Sequence, residues 1–440
     1  MTIKTEDKER LALEAKRRQN LQRVKMGWSA VLNERRKAGI LSVYLLGAAI
    51  LFFIIDTANA KTFPLGIADL LTVLNFLLFA ALLIFGAALV LWRLGTPWGT
   101  RAIEDAVKRA GIVNHTGEAP MLCRKYRDTK NFRVTVLEFL SNGVPLKLWH
   151  DRQDALETSL NRSIAKITEG RDKQHVLVYT VSAGCVLPER LVWRDEYTDT
   201  SRGFKLLLGE SLLGPVLVDL SKIPHVLLGG STGSGKTLLM KLLIWQCLRK
   251  NAKVILADFK GGVDYPGVWR RECRMVCDEA ALLDALTEAV NELEHRKECF
   301  PFRDAANIDE YNERAPWPTY DRIVIAFDEI AEVLDKNGLN KEQKELVAKI
   351  ESKLSIIARQ GRAFGIHLIL ATQRPDATIL SGQIRNNIDF RVCGRADNVL
   401  SQIILDNTSA SEKISPDVQG RFITKDGTIF QAYLPPDDGR

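Results

Sequence analysis

The sequence predicts an α/β protein built on a parallel sheet, preceded by a small α/β module and an N-terminal pair of transmembrane helices. Three observations carry that reading. Two long, uncharged apolar runs lie near the N-terminus. In the second half, short apolar strands alternate with helical stretches. One strand, HVLLG, feeds a glycine-rich turn, so that residues 225–237 read HVLLGGSTGSGKT and end in Lys236 and Thr237.

Bulk properties set the frame. A chain of 440 residues has room for two or three domains, each able to bury a core. With 26% charged and 46% hydrophobic residues, wholesale disorder is excluded. The net charge of +7 permits an acidic partner such as nucleic acid or anionic lipid without demanding one. Seven cysteines are scattered, and the closest pair, Cys273 and Cys277, lacks the C-x2-C spacing of a metal site. They are expected to be buried structural thiols in a reducing compartment.

Residues 1–37 read as a basic cytoplasmic helix, suited to an anionic membrane surface and, as the sharper alternative, to nucleic acid. The apolar runs at 38–55 and 70–92 are each about long enough to cross a hydrocarbon core, so 38–93 is expected to be a transmembrane hairpin. A signal peptide would leave the second run unexplained. Arg35, Arg36 and Lys37 precede the first run, while Arg93, Arg101, Lys108 and Arg109 follow the second. That basic excess puts both termini in the cytoplasm and the short 56–69 loop outside. Asn75, inside the second run, is expected to bond the neighbouring helix.

Residues 94–205 follow as a linker and small α/β module. LGTPWGT is the linker, AIEDAVKRAGI a helix, and FRVTVLEFL and HVLVYTV strands, with DRQDALETSLNRSIAKI between them as a helix. From 206 to 440 the strands become near-continuously apolar: HVLLG, KVILADF, DRIVIAFDE, IHLILATQ and FRVCGR. Such strands separated by helices imply a parallel sheet covered on both faces. GRFITKDGTIFQAYLP closes as a hairpin turning at Asp426-Gly427.

The chemistry sits at the strand ends. Gly230, Ser231, Thr232, Gly233, Ser234, Gly235, Lys236 and Thr237 fit G-x-x-x-x-G-K-[ST], after a strand and before a helix read as amphipathic. Glycines there let backbone N–H groups curl around phosphate oxygens at the positive end of a helix. Lys236 is expected at the β- and γ-phosphates, and the Thr237 hydroxyl on Mg²⁺. In IVIAFDEIAEVL, Asp328 is expected beside the metal and Glu329 beside the γ-phosphate as the base that polarises water. Gln373, at the end of IHLILATQ, is a candidate γ-phosphate sensor, the bland alternative being a strand cap. Arg362 is a candidate to reach a neighbouring subunit's nucleotide, with Arg359 and Arg391 competing for that role. Leu380-Ser-Gly-Gln383 resembles a transporter signature but is a glycine short and comes after the Asp-Glu strand, so it reads as a loop. No N-K-x-D guanine reader is found, which favours ATP.

Taken together, PHVLLGGSTGSGKT, ELEHRKECF…NIDEYNE, IVIAFDEIAEVL and above all GIHLILATQRP resemble the FtsK/SpoIIIE family over roughly 204–435. The resemblance implies a RecA-like P-loop ATPase that forms a homo-hexamer, anchors at the cell membrane and threads double-stranded DNA through its pore by non-specific backbone contacts. It supports Lys236, Thr237, Asp328, Glu329 and Gln373 in the roles given. There is no counterpart of the family's DNA-reading winged helix, and two membrane helices stand where chromosome-segregating members commonly have four. Both departures point toward a compact conjugation-type member serving a relaxase and transfer-channel proteins. ADFKGGVDYPG pulls toward type VII secretion ATPases, which export proteins, and leaves that alternative open.

Overall fold

The computed structural model describes residues 5–62, 65–129, 131–198, 203–314, 319–373 and 382–436. The chain divides into two units, Met1–Cys185 and Val186–Arg440.

In the first unit, helices α1 (Thr5–Asn33), α2 (Arg35–Thr62), α3 (Leu65–Ala81) and α4 (Ala87–Leu94) follow one another, with a π-helical turn at Leu82–Gly86 joining the last two. Arg35–Ala58 and Leu70–Leu94 are both long and apolar enough to cross a membrane. Their side chains are uncovered: Val43 is 71% and Phe85 75% exposed, the reverse of a soluble protein's core helix. The first helix continues to Thr62, past the expected loop start at 56, because TANAK offers no glycine or proline to stop it. Asn75 Nδ2 donates to the Phe52 carbonyl across the pair at 3.2 Å, and Tyr44 Oη donates to the Leu82 carbonyl at 2.6 Å beside the π turn. Helix α1 packs on α4 at backbone distance. A Cβ on Gly27 would overlap the Leu91 carbonyl, so only glycine fits there.

Past α5 (Thr100–Arg109), four strands form an antiparallel sheet. They are β1 (Met121–Arg127), β2 (Thr135–Leu140), β3 (Arg162–Glu169) and β4 (His175–Ser182), in the order β1-β2-β4-β3. Helices α6 (Leu146–Asp151) and α7 (Gln153–Leu160) bridge β2 and β3. Val107, Leu122, Phe139, Trp149 and Leu156 fill the core between them. The helix expected through NRSIAKI ends at Leu160. Asn161 takes a left-handed turn (φ 49°) and the following residues run as β3, whose Ile164 and Ile167 join that core.

The second unit begins earlier than the expected 206. β5 (Leu191–Val192) pairs with the last strand, β15 (Ile429–Leu434), and Trp193 packs edge-on against Tyr197 and Tyr433. Residues 186–198 therefore belong with the C-terminal core, held by aromatic packing that strand alternation does not report. The remaining strands are β6 (Lys205–Ser211), β7 (Gly214–Asp219), β8 (His225–Gly229), β9 (Lys253–Ala257), β10 (Arg274–Val276), β11 (Ile323–Phe327), β12 (Ile366–Thr372), β13 (Phe390–Cys393) and β14 (Arg421–Thr424). Their order is β10-β9-β11-β12-β8-β13-β14-β15-β6-β7. Pairing is parallel from β10 to β13 and antiparallel from β13 to β7. The β14–β15 hairpin turns at Gly427, φ 86°.

Side-chain alternation sorts the parallel strands onto two cores. Ile323, Ile325, Phe327, Leu368 and Leu370 face one, shared with α10 (Glu279–Cys299) and α13 (Lys341–Phe364). Val324, Ala326, Ile369, Val226 and Leu228 face the other, shared with α8 (Lys236–Arg249). Helix α8, expected to be amphipathic, is buried along Leu239, Met240, Leu242, Leu243, Ile244, Gln246 and Cys247, because both the sheet and the antiparallel extension cover it. Of the cysteines, Cys247, Cys273 and Cys393 are buried, but Cys277 is exposed and the rest are half-buried, so the uniform burial expected of them fails.

Candidate active site

The loops after β8, β11 and β12 meet at the carboxyl ends of neighbouring parallel strands, where ligands bind in open α/β sheets. The loop after β8 is residues 230–235. Gly233 (φ 77°) and Gly235 (φ 95°) hold left-handed backbone that a side chain would strain. The Cβ of any residue at 235 would also press on the Gly420 backbone at 3.1 Å. No side chain caps the start of α8, so its leading N–H groups point into the loop with the helix dipole behind them. The loop is braced from outside: Ser231 N–H donates to the Arg395 carbonyl (2.7 Å), Arg395 to the Thr232 carbonyl (2.6 Å), and Gly420 N–H to the Ser234 carbonyl (3.0 Å).

Lys236 is 4% exposed and its ammonium donates to the Asp328 carbonyl at 2.5 Å. Burial lowers its pKa, opposed by the nearby charges of Asp328 and Glu329. Asp328, at the end of buried β11, accepts from Thr237 Oγ1 at 3.3 Å and from Tyr265 Oη at 3.0 Å, both on Oδ1. Its other oxygen, Oδ2, is buried, makes no hydrogen bond, and has Lys260 Nζ at 3.5 Å. Burial, then the Asp328 charge, push the Tyr265 phenol well above its usual pKa, so it stays a donor. A hydroxyl beside a carboxylate oxygen that lacks a hydrogen bond is a hard-oxygen donor set, which fits Mg²⁺ when phosphates and water complete its shell.

Glu329 caps the short helix α12 (Ile330–Leu334): Oε1 accepts from Ala331 N–H at 3.3 Å, and Oε2 accepts from Gln373 N–H at 2.7 Å. The Gln373 side chain reaches the other way, its Oε1 accepting from Thr232 Oγ1 at 2.9 Å. One residue thus joins the glycine-rich loop to the carboxylate on the next strand.

The model of the FtsK/SpoIIIE family matches residues 189–377. The solved structure of the pCW3 conjugation coupling protein TcpA, in a monomer form with ATPgS, is 33% identical. That match covers 77% of this chain and 96% of that one, with a TM-score of 0.57. The chain belongs to the FtsK/SpoIIIE family. The DNA translocase FtsK of Helicobacter pylori strain ATCC 700392 / 26695 is 29% identical over 68% of this chain and 34% of that protein. That of Halalkalibacterium halodurans is 33% identical over 47% of this chain and 27% of that protein. The chain spans about a third of the length of these curated relatives.

In this FtsK/SpoIIIE chain the sheet brings Lys236, Thr237, Asp328, Glu329 and Gln373 together but not Arg362. Arg362 lies before β12, its Nε donating to the Ser221 carbonyl at 3.4 Å ahead of β8. It stands at the opposite end of the strands from its own glycine-rich loop, about 23 Å away along β12. Arg391 is buried on the Arg385 and Ile388 carbonyls and on Asp406, and Arg359 bonds back to Ser355 of its own helix. Three residues escaped sequence reasoning: Tyr265 and Lys260 on Asp328, and Arg395 on the loop. DFKGGVDY between β9 and α9 (Val268–Glu272) offered the first two by place, though nothing in spacing says that they fold onto β11. The arginine and proline of GIHLILATQRP and the first half of Leu380-Ser-Gly-Gln383 lie outside the described residues.

Proposed function

We propose that this chain is a membrane-anchored, ATP-driven DNA translocase of the coupling-protein kind. It would move double-stranded or processed DNA of a mobile element toward a transfer channel. The reading rests on one observation above the others. The match to a conjugation coupling protein takes in nearly that whole chain at 33% identity. The two uncovered apolar helices supply the anchor, with both termini cytoplasmic by the basic residues that flank them.

Residues 230–237 would wrap the triphosphate of ATP, with Lys236 bridging the β- and γ-phosphates. Mg²⁺, held by Thr237 Oγ1 and Asp328, would neutralise charge on the phosphate oxygens. Glu329, fixed from two sides, would orient and deprotonate the attacking water. Gln373 would sense the γ-phosphate, since its contact to Thr232 lies at the mouth of the loop. Arg362 would act on the nucleotide of the next protomer in a homo-hexameric ring. Grip on DNA would be through phosphates, without base reading.

The test is ATP hydrolysis by the full chain in lipid nanodiscs, with and without duplex DNA, over a range of salt. Hydrolysis should rise with duplex, and the rise should fall steeply and log-linearly as salt displaces phosphate contacts. Indifference to every duplex at low salt would sink the reading. Stimulation by a secreted helical protein instead would move the chain to the export alternative.

A further inference from the structure

A cavity lies wholly within the first unit. It has a volume of about 1140 Å³ and lies among α1, the start of α2, the end of α4 and the edge of β1. Six basic side chains line it, Lys25, Lys37, Arg93, Arg124, Lys125 and Arg171, against two carboxylates. Those two are already engaged, Glu34 by Lys37 at 2.9 Å and Glu138 by Arg124 at 3.9 Å. Lys25 and Lys125 are exposed and have no acidic partner among the described residues.

Ile40 and Leu94 are among the apolar residues of the lining. Both belong to the helices that are apolar enough to span a membrane, and Trp98, 83% exposed, stands beside them as an interfacial aromatic would. The walls are preset. Buried Arg23 on α1 is paired with Glu104 of α5 and donates to the Leu122 carbonyl of β1 at 2.6 Å, while Leu122 N–H donates to Glu104 at 2.8 Å. This lock holds helix and sheet apart at a fixed spacing without using the cavity's own cations.

We propose that this cavity binds the headgroup of an anionic phospholipid, its phosphate among Lys25, Lys125 and Arg93 and its first acyl carbons along Ile40 and Leu94. Basic pockets at the cytoplasmic ends of membrane helices suit such headgroups. Duplex DNA carries the same phosphate chemistry, but the lining includes Ile40 and Leu94 of the apolar spans, beside which a lipid headgroup is the anion at hand. The proposal rests on the membrane anchoring proposed above.

Full-length protein in neutral detergent is titrated with short-chain phosphatidylglycerol or phosphatidylcholine, and bound lipid is counted by native mass spectrometry. Phosphatidylglycerol should be retained about tenfold over phosphatidylcholine. Lys25→Gln/Lys125→Gln should erase that preference, while Lys341→Gln/Lys344→Gln, an equal charge change on exposed α13 positions, should leave it. Equal retention of the two lipids by the unaltered protein overturns the site whatever the variants do. So does a preference that survives loss of Lys25 and Lys125. Displacement by equimolar inorganic phosphate would make it a free-phosphate site, and displacement by a duplex oligonucleotide a nucleic-acid site; either result overturns the proposal. Flotation with phosphatidylcholine vesicles separates the two readings. A chain that floats but shows no lipid preference loses only the site, and one that does not float loses the anchor and the site together.

Discussion

The backbone N–H of Gln373 donates to Glu329 Oε2 at 2.7 Å, so the first residue past β12 sets the carboxylate just beyond the end of the neighbouring β11. With Ala331 N–H on the other oxygen, the proposed base has little freedom to turn. Glu329→Gln keeps an oxygen for one of those donors and the same shape, so the fold and ATP binding should persist. Hydrolysis should fall by about 10²–10⁴, the usual contribution of a general base. Nucleotide affinity and kcat measured side by side check this, and a variant that loses ATP binding as well would show that Glu329 mainly builds the loop.

Tyr265 bears on the metal side of the same centre. Its hydroxyl holds Asp328 Oδ1, leaving Oδ2 without a hydrogen bond. Tyr265→Phe removes a hydrogen bond to a charged group, and stability should drop by about 1.5–3 kcal/mol. The freed carboxylate can also rotate, so half-maximal hydrolysis should need more Mg²⁺ while the KM for ATP at saturating metal stays near its original value. A magnesium titration of the variant reads this, and an unshifted curve would mean that the tyrosine is only packing.

Much of this centre was readable in advance, and the reason is local. A phosphate loop needs its glycines and lysine in consecutive positions, and buried parallel strands are apolar without interruption, so HVLLG, IVIAF and IHLILAT declare themselves. What escaped depends on distant pairing. Nothing near Leu191 announces that it will lie beside Tyr433, and nothing in DFKGG announces that Lys260 and Tyr265 will converge on Asp328. The NRSIAKI stretch misled because its apolar residues fit a helix about as well as a strand. The left-handed Asn161 decided it.

Two buried histidines should make the second unit acid-sensitive. His225 Nε2 donates to the Ala358 carbonyl and Nδ1 accepts from Leu368 N–H, so the ring is fixed neutral with both nitrogens used. His367 likewise faces the Pro224 carbonyl with Nδ1 and the Arg322 guanidinium with Nε2. Burial pushes His225 down to about 4, and burial with the Arg322 charge pushes His367 well below its usual value. Above about pH 6.5 both folded and unfolded chains carry these rings neutral, and the stability is fully present. Below it the unfolded chain takes up protons that the folded one refuses, so stability falls until the folded pKa is passed. At pH 5, His225 alone should cost about 2 kcal/mol. Urea midpoints at pH 7.5 and pH 5 measure it, and matching midpoints would contradict neutral burial.

Arg362 and Arg391 should fail in different ways. Arg391 is spent inside its own fold, on two backbone carbonyls and on Asp406 Oδ2 at 3.0 Å, so Arg391→Ala should destabilise the protein by about 1.5–3 kcal/mol, as loss of charge-assisted hydrogen bonds does, and lower its melting temperature. Arg362 makes one long contact to a carbonyl and stands at the far end of the strands from its own nucleotide loop. Arg362→Ala should therefore melt normally and bind ATP normally, yet hydrolyse it about 10³-fold more slowly, at the lower end of what a trans-acting arginine contributes. Mixing decides whether the arginine works across protomers. Arg362→Ala and Glu329→Gln should each hydrolyse ATP poorly alone, but in a mixed ring some interfaces would receive an intact arginine from one protomer and an intact carboxylate from the next. Partial recovery of hydrolysis on mixing is the expected outcome. No recovery, in rings shown by crosslinking to be mixed, would remove Arg362 from the role.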